Sequence, residues 1–174
     1  MNTLDAKLEL IKGSLFNGQI SDNVKKALAD EAFMKELYKT SAKQDIAHLI
    51  GYALEKLNLI GGDTTAGKAF TQAQFTAVYR YEKIKYELDT IIQLFEREKI
   101  DCILLKGSYL RKYYPEPWLR TSCDIDVLVD KSDLKKATEI FESRLGYKKE
   151  NASAHDISLI SDRKSTRLNS SHRT

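Results

Sequence analysis

Cys123-Asp124-Ile125-Asp126-Val127-Leu128-Val129 is the stretch on which the fold turns. Apolar residues at 125, 127 and 129 alternate with acidic ones at 124 and 126, the period-two pattern of a strand. Ile125, Val127 and Val129 are expected in the core. Asp124 and Asp126 then share the opposite face, with Cα atoms about 6.6 Å apart. Two carboxylates on one rigid face repel each other unless something positive sits between them. A hard divalent cation such as Mg²⁺ suits oxygen ligands, and a second one would complete a phosphoryl-transfer clamp. Taken alone, Asp-x-Asp on a strand is weak evidence, and two solvated carboxylates at a sheet edge are the better reading of it.

Upstream, Cys102-Ile103-Leu104-Leu105 reads as a short buried strand that ends at Lys106-Gly107-Ser108. A short helix over Ser108–Tyr113 is expected next, stopped by Pro115 and Pro117. Glycine at the end of a strand, opening a helix, lets the backbone approach a phosphate, and the freed N–H groups and helix dipole favour an anion. Ser108 adds a hydroxyl donor, although by itself it is also a plain N-cap. Lys106 and Arg120, the basic residues nearest these motifs, are solvated or pair with Asp124 and Asp126 unless a ligand takes them. Downstream, Asp130 or Ser132 is expected to cap a helix with Leu134, Ala137, Phe141 and Leu145 inward, closed by Gly146. Residues 156–160 read as another strand, which carries Asp156.

Before residue 99 the spacing is helical. Leu4, Leu8, Ile11 and Leu15 make one stripe, ended by Asn17-Gly18. Val24, Leu28 and Leu37 lie on a second helix with Ser21 or Asp22 as N-cap. Ile46, Leu49, Ala53 and Leu57 lie on a third, closed by Gly61-Gly62. The stretch Gly61–Gly67 reads as a loop, and the longest helix covers 72–98 through Tyr81, Ile84, Leu88, Ile91 and Phe95. Tyr79, Tyr81 and Tyr86 are read as packing residues and His48 as a packed or surface histidine. Tyr113, Tyr114 and Trp118 line a ligand pocket or merely cover the core. His155 is read as a loop residue.

With 42% apolar and 30% charged residues, the composition excludes disorder and collagen-like structure. No apolar run approaches the roughly 20 residues of a membrane span. Met1-Asn2-Thr3-Leu4-Asp5 lacks the features of a signal peptide. Cys102 and Cys123 have no partner pattern and read as reduced, small buried side chains, so a cytoplasmic chain is expected. Acidic and basic residues balance up to residue 160, so the formal charge of +3 belongs to 161–174 and gives no argument for nucleic acid. That tail holds one large apolar residue, Leu168, and is expected to be disordered. Lys164–His172 also resembles translated sequencing-adaptor sequence. On that reading the tail is foreign, and the native chain continued past about residue 160. A natural polar tail is the alternative.

The Gly107-Ser108 turn, a spacer and Asp124-x-Asp126 with apolar flanks resemble the nucleotidyltransferase superfamily with the polymerase-beta-like palm. More narrowly, Leu104-Leu105-Lys106-Gly107, Tyr113-Tyr114-Pro115, Arg120 and Asp124–Val129 look like the uncharacterised bacterial nucleotidyltransferase family of type 5. The resemblance covers roughly residues 40–150. With the helical N-terminal lobe read over 1–99 and the tail over 161–174 set apart as non-native, it implies an α+β fold whose partial nucleotidyltransferase core, with a mixed sheet, covers 100–160. It also implies Mg²⁺-dependent transfer of a nucleoside monophosphate from a nucleoside triphosphate to an unknown acceptor, with release of pyrophosphate. Asp124 and Asp126 would be the catalytic metal ligands of a two-metal site. Gly107, Ser108, Lys106 and Arg120 would bind the nucleotide. The spacer 109–123 is slightly longer than the common superfamily pattern. A third carboxylate, which such enzymes place on a later strand, has only Asp156 as a candidate. The alternative is a catalytically inactive protein of this fold that binds nucleotide or a partner. A metal-dependent glycosyltransferase would want a βαβ domain upstream, and a dehalogenase-type phosphatase a threonine after the pair.

Overall fold

Helix α1 spans Thr3–Phe16 because Asn2 caps it, its side chain accepting from the Asp5 N–H at 2.9 Å, and because Asn17 ends it in the left-handed region. Its buried residues are Ala6, Lys7, Leu10, Gly13 and Ser14. The expected stripe is therefore corrected: Leu4 and Leu8 are about half exposed. Small side chains on the inward face let α4 (Ala47–Lys56) pack close against α1. The expected second helix is two, α2 (Asp22–Leu28) and α3 (Glu31–Lys43). Asp30 separates them by accepting from the Ala32 N–H at 2.9 Å, a cap contributing about 1 kcal/mol. Helix α4 stops at Leu57, since Asn58 turns left-handed, earlier than the expected stop at Gly61-Gly62.

The computed structural model describes residues 1–60, 63–122, 124–152, 156–161 and 167–172, with backbone alone at 152, 156, 161 and 167–172. Gly61-Gly62, Cys123 and His155 lie outside the described residues. Helix α5 runs Thr65–Glu98 and so starts before the expected residue 72, taking in part of the supposed loop. Thr64 Oγ1 accepts from the Gly67 N–H at 3.0 Å and caps this first turn. The chain forms two compact units, Met1–Tyr79 and Arg80–Thr174. The division falls inside α5 rather than at the change of period near residue 99. The first unit is built on Ala6, Leu10, Val24, Leu37, Ile50, Leu54 and Phe70. Each of its fully buried leucines contributes about 1.5–3 kcal/mol. Tyr79 and Tyr86, expected to pack, are each 72% exposed. His48 is buried.

In the second unit β1 (Cys102–Leu104) leads into α6 (Lys106–Leu110) and a 3₁₀ turn over Arg111–Tyr113. The single short helix expected there is therefore split. β1 is not buried throughout, because Ile103 is 56% exposed on this edge strand. β2 (Asp124–Val129) is followed by α7 (Leu134–Leu145), which Gly146 closes at φ 71°, a value glycine adopts without strain. The N-terminal cap is a correction. Asp133 holds that position, and Asp130 instead binds the Ser132 N–H and Oγ at 2.8 and 2.7 Å in a turn. β3 (Tyr147–Ala152) was not expected, since Lys148-Lys149-Glu150-Asn151 reads as polar; it lies at the other sheet edge, where charged side chains reach water. β4 (Asp156–Ser161) falls where the sequence places it.

The strands form one mixed sheet in the order β1-β2-β5-β4-β3, with β5 at Arg167–His172. β2 is antiparallel to β1 and parallel to β5. The expectation that nothing in the tail forms a strand is thus corrected for 167–172. Leu168, its one large apolar residue, is in register with Ile125 on one side and Leu159 on the other. A central strand also has both rows of backbone groups paired, a gain that side-chain composition does not reveal. Ile125, Val127 and Val129 point into a core with Ile84, Ile91, Phe95, Ile140 and Phe141, as the alternation predicts. Phe141 meets Phe95 and Tyr147 edge-on, with centroids at 5.5 and 5.7 Å. The architecture is α+β. Among the described residues no helix is long and apolar enough to cross a membrane.

Candidate active site

The outer face of β2 carries Asp124, half-buried, and Asp126, 7% exposed. A carboxylate this buried needs a partner, and Lys106 supplies one: its Nζ lies 3.1 Å from Asp126 Oδ1. The Lys106 side chain is 71% exposed whereas that of Asp126 is 10% exposed, so the cation can swing away while the anion stays fixed. The backbone brings them together. The Leu105 N–H donates to the Asp126 carbonyl at 3.0 Å, prolonging the β1–β2 ladder to the start of α6. Lys106 itself sits at φ 45°, in the left-handed region, at a cost of about 1–3 kcal/mol.

Gly107 is buried behind it, against Ser122. A Cβ at 107 would lie 2.9 Å from both Ser122 Cβ and Oγ, so only glycine lets α6 approach the segment entering β2 this closely. The Ser108 Oγ is buried and has no hydrogen-bond partner among the described residues. Such an orphaned hydroxyl costs about 1–3 kcal/mol, and a ligand oxygen would satisfy it. The expected helix dipole contributes little, because α6 has five residues. An anion here would be held by individual N–H and O–H groups.

Arg120 is half-buried, and among the described residues it forms no ion pair with Asp124 or Asp126. Its carbonyl accepts from Arg111 Nε at 3.2 Å. Arg111 is a residue the sequence reading missed. It is 6% exposed, its Nη2 donates to Ser122 Oγ at 2.6 Å, and its guanidinium lies 5.6 Å from the centre of the Tyr81 ring. Burial pushes the guanidinium below its ordinary value; Tyr81 opposes this and Arg120 adds to it. The signal was present in the sequence: Arg111 follows Gly107 by four residues, a helical spacing that places both on one buried face.

Tyr113 is exposed, and Tyr114 and Trp118 are half-buried. Lys112 Nζ lies 3.6 Å from the Tyr109 ring centre and 5.1 Å from that of Tyr113. This ammonium holds the Tyr109 hydroxyl below its usual value through a hydrogen bond, with Tyr113 adding to it. Cys102 is a free thiol pushed up first by burial, then by Asp101 and Glu96. The backbone of Asp156 is in register with Ser171 and, through it, with Leu128, two strands from β2. Among the described residues no group of three or more His, Cys, Asp or Glu side chains is placed to hold a metal. The pair Asp124–Asp126 does fit a hard divalent cation. Both are oxygen donors on one strand face, and the more buried of them is already matched by a displaceable positive charge.

Comparison with curated proteins and with solved structures gave no match. A family model described as an uncharacterised nucleotidyltransferase matches residues 30–173, which include α3 to α7 and the whole sheet. The chain with Asp124 and Asp126 on β2 beside the Gly107-Ser108 turn belongs to this uncharacterised nucleotidyltransferase family.

Proposed function

We propose that the protein is a Mg²⁺-dependent nucleotidyltransferase that moves a nucleoside monophosphate from a nucleoside triphosphate to an acceptor and releases pyrophosphate. The observation that carries this reading is the juxtaposition of Asp126, Lys106 and the Gly107-Ser108 turn, with Lys106 Nζ 3.1 Å from Asp126 Oδ1. Asp124 and Asp126 would hold the metal ions, which when bound neutralise phosphate charge and lower the pKa of an attacking hydroxyl. Gly107 lets the turn close on Ser122 beside the strand that carries the carboxylates, and the Ser108 hydroxyl would donate to a phosphate oxygen. Lys106, released from Asp126, turns to the β- and γ-phosphates. Arg120 stands as a further phosphate partner if its side chain reorients. Fixed groups aimed at developing charge, together with in-line placement, would supply most of the rate. The acceptor is open, and the reaction is placed in the cytoplasm, where nucleoside triphosphates are abundant.

The test is pyrophosphate release from each of the four nucleoside triphosphates with Mg²⁺, in the presence of a small-molecule extract and of total RNA as acceptors. Asp124→Asn and Asp126→Asn are each expected to reduce release by about 10³-fold or more with the circular dichroism spectrum unchanged. Wild-type turnover retained in both variants would overturn the site. One observation favours a second reading, a nucleotide-binding protein without turnover: the Lys106 ammonium already neutralises Asp126. Tight binding of the triphosphate without pyrophosphate release would select it.

A further inference from the structure

Arg111 is a buried cation that no ion pair among the described residues involves. Holding a guanidinium out of water is costly, and an apolar side chain of similar size would serve the core better. Its contacts indicate what the charge does. Nη2 donates to Ser122 Oγ at 2.6 Å and Nε to the Arg120 carbonyl at 3.2 Å, both in the segment that leads into β2. The Tyr81 ring covers the guanidinium at 5.6 Å. Ser122, held this way, is the residue against which Gly107 lies, and it precedes Asp124 by two positions.

We propose that Arg111 is the positioning residue of the site: by fixing Ser122 against Gly107, it sets the separation between the Ser108 turn and the Asp124–Asp126 pair. The proposal rests on the nucleotidyltransferase reading for its kinetic consequence, but its structural consequence stands apart. One guanidinium ties the helical segment that carries Ser108 to residues 120 and 122, just ahead of the strand that carries the carboxylates. Removing it frees the 120–122 segment to move by a fraction of an ångström or more, and a 1 Å error in such a site costs about 100-fold in rate. Ser122→Ala removes the same anchor from the other side, leaving no buried charge without an acceptor other than Arg111 itself, which keeps the Arg120 carbonyl.

The experiment compares Arg111→Met, Arg111→Lys, Ser122→Ala and the Arg111→Met/Ser122→Ala double variant in the full chain. Three readouts are taken: pyrophosphate release, Mn²⁺ affinity as the metal probe, and amide hydrogen exchange. Arg111→Met should lower kcat about 100-fold and weaken Mn²⁺ binding. Arg111→Lys should restore part of both, and the double variant should be no worse than Arg111→Met alone, because both changes cut one link. Exchange should quicken at Leu105, Ser108 and Asp124–Asp126, with the amides of Ile91 and Phe95 as protected as before. Should Arg111→Met fail to fold, Ser122→Ala carries the comparison. If the wild type shows no turnover and no metal binding, the nucleotidyltransferase reading fails, and hydrogen exchange alone decides the proposal. Unchanged exchange at Leu105 and Asp124–Asp126, a uniform loss that includes Ile91 and Phe95, or independently additive penalties in the double variant would overturn it.

Discussion

In the first unit Ser41 is fully buried and its Oγ donates to the Leu37 carbonyl at 2.6 Å, whereas in the second the Ser108 Oγ is buried with no partner among the described residues. Left-handed positions differ in the same direction. The first unit fills them with Asn17, Asp45 and Asn58, residues that tolerate this conformation, and the second uses Lys99 and Lys106 among its non-glycine residues. Buried cations follow suit: Lys7 in the helical unit needs one neutral acceptor, Gln44 Oε1 at 2.7 Å, while Arg111 holds two atoms of a separate segment. The helical unit is locally satisfied throughout these comparisons. The Ser108 hydroxyl, the left-handed Lys106 and the Arg111 guanidinium of the sheet unit fall together on residues 106–111, next to the Asp126 that Lys106 pairs with, where a ligand would make use of them.

Glycines offer the largest way to break this contrast. Gly107→Ala would place a Cβ 2.9 Å from Ser122, which Arg111 holds in place, and is expected to lower stability in urea unfolding by about 1–3 kcal/mol. At Gly13 in α1 the nearest obstacle is Ile20 Cδ1 at 2.6 Å, the free end of a flexible side chain. There, alanine's better helix propensity offsets the adjustment, and the variant should stay within about 1 kcal/mol of the parent. Equal losses at the two sites would erase the difference in rigidity.

Serines sharpen it with opposite signs. Ser41→Ala removes a made hydrogen bond and should cost about 0.5–1.5 kcal/mol. Ser108→Ala removes an unmade one and should raise stability by about 1 kcal/mol while weakening nucleotide binding. A fall in stability at both would show that Ser108 is satisfied in solution. The smallest effect lies at Glu98, which pairs with Arg144 at 2.8 Å and Lys136 at 3.2 Å between α5 and α7. Its carboxyl is held below the usual range by the Lys136 hydrogen bond first, then by Arg144. A carboxyl lowered in the fold stabilises above its unfolded value and loses that contribution as pH falls through the folded value. Glu98→Gln should therefore lower Tm slightly at neutral pH, flatten the loss on acidification, and match the wild type near 1 M salt, where such pairs are screened.

What was legible in the sequence follows the strength of the local pattern. The alternation through Ile125, Val127 and Val129 has one solution, and all three are buried. Gly146 after an amphipathic stretch marks the end of α7 for the same reason. The break at Asp30 escaped notice because a single capping aspartate interrupts a helix as effectively as the glycines and prolines that usually advertise a stop. The inward face of α1 escaped because it is chosen by smallness, through Ala6, Gly13 and Ser14, and a count of leucines points elsewhere. β3 and β5 take their places from backbone pairing with neighbours, which composition does not encode. The order of the motifs was enough to put Lys106 and Asp126 on neighbouring elements, where they pair at 3.1 Å. The role of Arg111 depends on contact with residues 120–122, and only its spacing from Gly107 hinted at a buried position.

The ammonium of Lys106 beside Asp126 also shapes the field that an approaching molecule meets. Two bare carboxylates would present a double negative charge to a triphosphate, an anion even when it carries its own metal. With the lysine in place the formal charge of the trio is halved, and the remaining repulsion fades beyond about 8 Å at physiological ionic strength. On the proposed reading, this exposed cation would weaken the repulsion of an anionic nucleotide before any bond to it has formed.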